Sequence, residues 1–267
     1  MNDRLKRMLD DMHRYNSENL VEPTFGISCD TEYDALVIAP GWKPTKILDD
    51  SFTVTSAEQH SYISGYTVER GDVRLAWVQC ASGACNLIDH LTICTELKFR
   101  CIIFLGAVGA LSPHIRVGEL VTPSCSISGV GANAYLCDKL TDYSPFGRVY
   151  PPRAFVDKVQ GVARSLGYEL REGVTFCTDS ISLEYSHLDE IKAMGAELIE
   201  METSSLYLLS EMLEIPAIAL LAVSDNSASG AALIGRTEDE QLAYDRCRKQ
   251  IIPELIYKIA RMEEGTK

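Results

Sequence analysis

The chain has 267 residues, is 46% hydrophobic and carries a formal net charge of −13. That supplies a large core and fits one α/β domain, because no linker is visible, while the acid surplus excludes a nucleic-acid surface, which needs clustered Lys and Arg. No apolar run reaches the roughly 18 residues of a membrane span, no N-terminal stretch has a signal-peptide layout, and the nine cysteines, odd in number and without Cys-x-x-Cys spacing, read as reduced thiols of a cytoplasmic protein.

Met1 to Tyr15 is charged, with Leu5, Met8, Leu9 and Met12 at helical spacing. This predicts an amphipathic helix docked on the body or on a partner subunit. Residues 1–30 are read as a helical extension and 31–267 as a single domain. Strand-like apolar runs follow at Ala35–Ala39, Val73–Cys80, Cys101–Leu105, Gly118–Thr122, Val174–Cys177, Leu198–Met201 and Pro216–Val223. Helical patterns lie at Asn86–Leu97, Pro152–Leu166, His187–Met194, Thr203–Leu213 and Glu238–Met262. Such alternation implies a mainly parallel or mixed sheet with helices on both faces. The interval Ser124–Pro151, rich in Gly, Ser, Pro and Tyr, reads as a long active-site loop or a small excursion between strands.

Four segments carry candidate chemistry. Pro40-Gly41 follows a strand, and its turn can aim N–H groups at an anion, with Lys43 and Lys46 close behind. Gly106-Ala107-Val108-Gly109 ends another strand; it reads as a tight turn or as a close backbone approach to a small ligand, and it is not the dinucleotide fingerprint. Glu200-Met201-Glu202 ends a third strand, and on an extended backbone its two carboxylates share one face. They are either acids favoured by a helix N-terminus or a carboxylate pair able to grip vicinal hydroxyls. Ser224-Asp225 ends a fourth strand; Asp225 is a turn former or a general acid whose pKa apolar surroundings raise.

In this order and spacing, the segments resemble the nucleoside phosphorylase family, which includes hexameric purine nucleoside phosphorylases, uridine phosphorylases and methylthioadenosine nucleosidases. The stretch Leu111 to Val121 is also similar to that family's pattern, and the resemblance runs from about Ala35 to Ile259. It implies a three-layer α/β/α sandwich with a mixed, distorted central sheet, assembled as a homo-oligomer (dimer or hexamer). It implies cleavage of the N-glycosidic bond of a ribonucleoside, with no metal or organic cofactor and with inorganic phosphate as the family's default nucleophile. By resemblance Glu202 and the Met201 backbone hold the ribose. Glu200, Ser224 and Arg236 belong to the nucleoside site, and Asp225 serves the departing base at N7, which favours a purine. Gly41, Lys46, Gly106 and Ala107 fall where phosphate or another nucleophile binds.

The chain departs from the pattern where phosphate arginines are expected. Phe104 and Ala107 stand in the strand and glycine segment, Lys46 follows the first turn with one extra residue, and Gln59 and His60 fall near the position of an Arg contributed by a neighbouring subunit. The nucleosidase branch fits incompletely as well, with Trp42-Lys43 in place of acids and Leu221 in place of an Arg. Phosphorolysis is therefore the leading expectation. Hydrolysis by water and nucleoside binding without turnover are the alternatives.

Overall fold

The computed structural model describes residues 1–16, 19–56 and 63–262; Gln59 and His60 lie outside the described residues. Twelve strands are described: β1 (Glu32–Tyr33), β2 (Ala35–Ile38), β3 (Thr53–Ser56), β4 (Ser64–Arg70), β5 (Val73–Gln79), β6 (Lys98–Phe99), β7 (Ile102–Ala110), β8 (Leu120–Ser128), β9 (Arg148–Val149), β10 (Arg171–Cys177), β11 (Leu198–Glu200) and β12 (Ala217–Asn226). The α-helices are α1 (Asp3–His13), α2 (Val21–Phe25), α3 (Ala84–Ile93), α4 (Arg153–Ser165), α5 (Leu188–Ala193), α6 (Thr203–Leu213), α7 (Glu238–Arg246) and α8 (Ile252–Ala260).

The main sheet runs β11-β10-β8-β12-β7-β2-β5-β4-β3. Its distortion has a definite form. β11 pairs in parallel with β10 on one side and antiparallel with β7 on the other, so the sheet curls back onto itself around β7, β12, β8 and β10. The strands from β2 outward extend this curl as an open sheet, with β4 and β3 antiparallel at the edge.

Alternate side chains of the central strands feed two separate cores. Leu36, Ile38, Ile102, Phe104, Ala219 and Leu221 enter one core with residues of α1, α2, α3 and α6. Ala35, Val37, Ile103, Leu105, Ile218 and Leu220 enter the other with residues of α4, α7 and α8. Burial on both faces explains why these strands read as unbroken apolar runs. The mixed α/β architecture around a central mixed sheet thus agrees with the expected fold class. The first helix docks on the body: the Asn2 N–H donates to Met212 O at 2.8 Å, and Leu5 and Leu9 join the core that contains α6.

Four boundaries differ from the sequence reading, each for a physical reason. β7 runs through Gly106 and Gly109 to Ala110, because parallel β12 satisfies its backbone on that side; the glycine segment is strand and not a tight turn. β8 continues to Ser128, so Ser124–Pro151 begins as strand and then makes a small excursion that returns as β9 against β8. β3 and β4 form a polar antiparallel edge that carries no apolar run to signal it. The helix expected over Glu238–Met262 contains a π stretch at Cys247–Ile251, directly before Pro253, whose ring cannot donate a backbone hydrogen bond.

Candidate active site

The C-terminal ends of β2, β5, β7, β10, β11 and β12 surround one cleft. Its position is where ligands gather in open parallel sheets. Glu200, Met201, Glu202, Ser224, Asp225, Gly106 and Ala107 all line it, together with Pro40, Trp42, Ser82, Thr178, Glu184 and Tyr185. The carboxyls at 202 and 225, expected to flank one ligand, therefore share one cavity.

The two glutamates of the β11–α6 junction part company. β11 ends at Glu200, and Glu202 sits at φ −134°, ψ −29°, outside the extended region, so the shared face expected of a straight strand does not persist. Glu200 Oε2 accepts the N–H groups of Glu202 and Thr203 at 2.7 and 2.8 Å. Its Oε1 accepts the Thr203 hydroxyl at 2.7 Å and the Cys177 thiol at 2.9 Å. Glu200 thus caps the orphan donors at the start of α6. Burial raises its pKa, and these hydrogen bonds pull it back down.

Glu202 keeps more freedom. Its Oε1 accepts the Gly83 N–H at 2.5 Å, from the turn that opens α3, and the Met201 backbone also draws on its carboxyl. Burial first, and then the charge of Glu200, push its pKa up to about 8. The helix that follows begins Thr203-Ser204-Ser205, all fully buried. They tolerate burial because Ser126 reaches Thr203 at 2.6 Å, while Asn133 donates to Ser204 at 3.0 Å and accepts from Ser205 at 2.6 Å.

Asp225 is aimed by a bulge. β12 pairs Val223 with Val108 but Asp225 with Gly109, so Ser224 is the extra residue. The Ser224 hydroxyl lies 2.6 Å from Asp225 Oδ1 as donor and 3.2 Å from Val108 O. A Cβ at position 109 would lie 3.1 Å from Asp225 Oδ2, so glycine there leaves room for the carboxyl. Burial raises the Asp225 pKa against the pull of Ser224 and Arg236.

Three expected site residues fall elsewhere. Arg236 is not on the cleft wall: its Nε donates to Ser224 O at 2.5 Å and its guanidinium stacks 4.3 Å from the Tyr244 ring centre, so it supports the Asp225 turn from behind. The Gly41 N–H donates to Cys80 O at 3.0 Å, so the left-handed turn at φ +68° spends that donor on its own fold and not on an anion. Lys46 is exposed in a short 3-10 turn away from the cleft. Among the described residues no Lys, Arg or His lines the cleft, and no group of His, Cys, Asp or Glu there could hold a metal ion.

Sequence reading missed Gly83, whose N–H anchors Glu202, and Glu184, a carboxyl on the cleft wall. A glycine between a strand and a helix was the available signal for the first. For the second it was an acid flanked by Ile181, Leu183 and Tyr185 in a segment otherwise exposed.

A curled mixed sheet thus brings two acids, Glu202 and Asp225, to one cleft at its C-terminal edge. Residues 52–252 match the Phosphorylase superfamily, and the chain belongs to that family. It is 28% identical to a DeoD-type purine nucleoside phosphorylase of Limosilactobacillus reuteri over 167 residues, 60% of this chain and 67% of that protein. It is 25% identical to a DeoD-type purine nucleoside phosphorylase of Geobacillus stearothermophilus over 49% of this chain, spanning 54% of that protein. In fold it is similar to the 5'-methylthioadenosine/S-adenosyl homocysteine nucleosidase of Campylobacter jejuni, with a TM-score of 0.64 and 18% identity over 84% of this chain and 97% of that one. Members of the family are pentosyltransferases or N-glycosyl hydrolases, so this chain is an enzyme of one of those two kinds.

Proposed function

We propose that this protein cleaves the N-glycosidic bond of a purine ribonucleoside, and that water takes the place of phosphate as nucleophile. The observation that carries the reading is the convergence of Glu202 and Asp225 on one cleft. In the transition state the ribose becomes positive and the departing base negative. Glu202, held by the Gly83 N–H and the Met201 backbone with lone pairs to spare, accepts the ribose hydroxyls. Asp225, its pKa raised by burial, delivers a proton to N7 of the base, a transfer worth roughly 10² to 10⁴ in rate.

Water is favoured over phosphate by the charge of the walls. Glu184, Glu200, Glu202 and Asp225 all line the cavity, and among the described residues no Lys, Arg or His lines it to neutralise a phosphate dianion. Lys43 and Lys46 are both exposed, away from this lining. Phosphorolysis, the expectation from the resemblance alone, would need cations brought in from outside the described residues of one chain. Assembly into a dimer or hexamer belongs to the same reading and is supported by the exposed Tyr135, Phe146, Ile181, Leu183 and Tyr185; light scattering on the purified protein measures it.

The test is base release from adenosine, inosine, guanosine and uridine, with and without inorganic phosphate. Release of a purine base at a rate indifferent to phosphate is expected. A strict phosphate requirement would overturn the water assignment, and no release from any nucleoside would overturn the activity.

A further inference from the structure

Glu184 opens a short 3-10 turn on the cleft wall, in the same cavity as Asp225. It is partly buried, and no hydrogen bond or ion pair reaches its carboxyl among the described residues. A half-buried carboxyl that lines a cleft and keeps its lone pairs free is available to a ligand's donors. Every acid already given a structural task here has its donors: Glu200 has four and Asp225 has Ser224. Glu184 has none within its own fold, so its natural partner is the ligand.

We propose that Glu184 is a specificity-determining residue that works beside Asp225, so that the cleft accepts a 6-aminopurine nucleoside in preference to a 6-oxopurine nucleoside. The inference rests on the reading of Asp225 as the acid at N7. The substituent next to N7 on a purine is the one on C6, and Glu184 lines the same cavity as Asp225, within reach of a base held there. An exocyclic amine offers N–H donors to an acceptor-only carboxylate. A 6-oxo group offers lone pairs, and an ionised Glu184 beside it gives that oxygen no donor.

The charge environment of Glu184 makes the preference depend on pH. Asp225 on β12 faces it, Tyr185 adjoins it on its own turn, and Glu200 and Glu202 at the β11–α6 junction face the same cavity. Arg236, the cation nearest Asp225, is engaged behind the strand with Ser224 O and Gln241. Burial, and then the charge of Asp225, push the Glu184 pKa up to about 7. Above that pH the carboxylate accepts from the amine. Below it the protonated acid becomes a donor and accommodates the 6-oxo group.

The experiment compares kcat/KM for adenosine and inosine between about pH 6 and pH 8.5, in the unaltered enzyme and in Glu184→Gln, with calorimetric affinities for adenine and hypoxanthine measured alongside. We expect the unaltered enzyme near pH 8 to favour the 6-amino compound about tenfold or more, since an unpaired buried acceptor discriminates at that level. The preference should shrink toward pH 6. The glutamine amide, both donor and acceptor, should bring the ratio to within about threefold and make it independent of pH. A ratio near one in the unaltered enzyme, or an undiminished and equally pH-dependent ratio in Glu184→Gln, overturns the proposal. Should Glu184→Gln fail to fold, the pH profile of the unaltered enzyme and the Glu184→Asp variant decide in its place. Absence of base release removes the catalytic reading, whereas the adenine-to-hypoxanthine affinity ratio still decides this one.

Discussion

The β11–α6 junction and the end of β12 both deliver acids to one cleft, but they hold them in opposite ways. At the junction, Glu200 is saturated by four donors and secures the start of α6, while two residues later Glu202 is held only by the backbone of Gly83 and Met201 among the described residues. At the end of β12 one bulge residue, Ser224, both displaces Asp225 and donates to it. The difference separates scaffold from working carboxyls: a carboxyl whose lone pairs are all taken inside the protein stabilises it, and one with lone pairs to spare is available to a ligand.

Removing the acid at the end of β12 tests the comparison hardest. Asp225→Ala should lower kcat by about 10² to 10⁴, the range of a lost proton transfer, with purines hurt more than pyrimidines. Equal losses for both in steady-state assays would break the N7 assignment. Next in size, Glu200→Ala should cost about 3 kcal/mol of stability, because it leaves the buried donors of Thr203 and Cys177 unpaired. Urea unfolding measures this, and an unchanged midpoint would remove the distinction between the two glutamates.

Glu202→Gln should give the converse result, a loss of about 10² in kcat/KM, near the worth of two hydrogen bonds to a charged group. Its unfolding midpoint should not fall, since an amide oxygen can still accept from Gly83 and the cost of burying a charge is removed. A large drop in stability with activity retained would exchange the roles of the pair. The last prediction concerns pH dependence. Glu202 titrates near pH 8 in the folded chain, whereas an unfolded glutamate titrates near ~4.3. Between these values the folded state holds a proton that the unfolded state has released, so stability should fall from about pH 4.5 and level off above about pH 8. Melting curves of Glu202→Gln should show a shallower fall, and an identical slope would refute the raised pKa.

Much of the frame was legible in the linear chain. The runs at Ala35–Ala39 and Pro216–Val223 announce strands buried on both faces, the spacing of Thr203–Leu213 announces α6, and the order of Pro40-Gly41, Gly106 to Gly109, Glu200 to Glu202 and Ser224-Asp225 points to the family. Local periodicity and residue type encode such features directly. Which carboxyl is free was not legible. Glu200 and Glu202 are the same residue type two positions apart, and only the partners brought by β10 and by the turn before α3, Cys177 and Gly83, assign one to the scaffold and leave the other open. The strand through Gly106 and Gly109 is likewise decided by its neighbour β12, and the place of Glu184 beside Asp225 by a curl of the sheet that joins segments forty residues apart in sequence. Sequence fixes what each segment can bury and donate, whereas the contacts that satisfy or expose a polar group come from distant parts of the chain and exist only once it has folded.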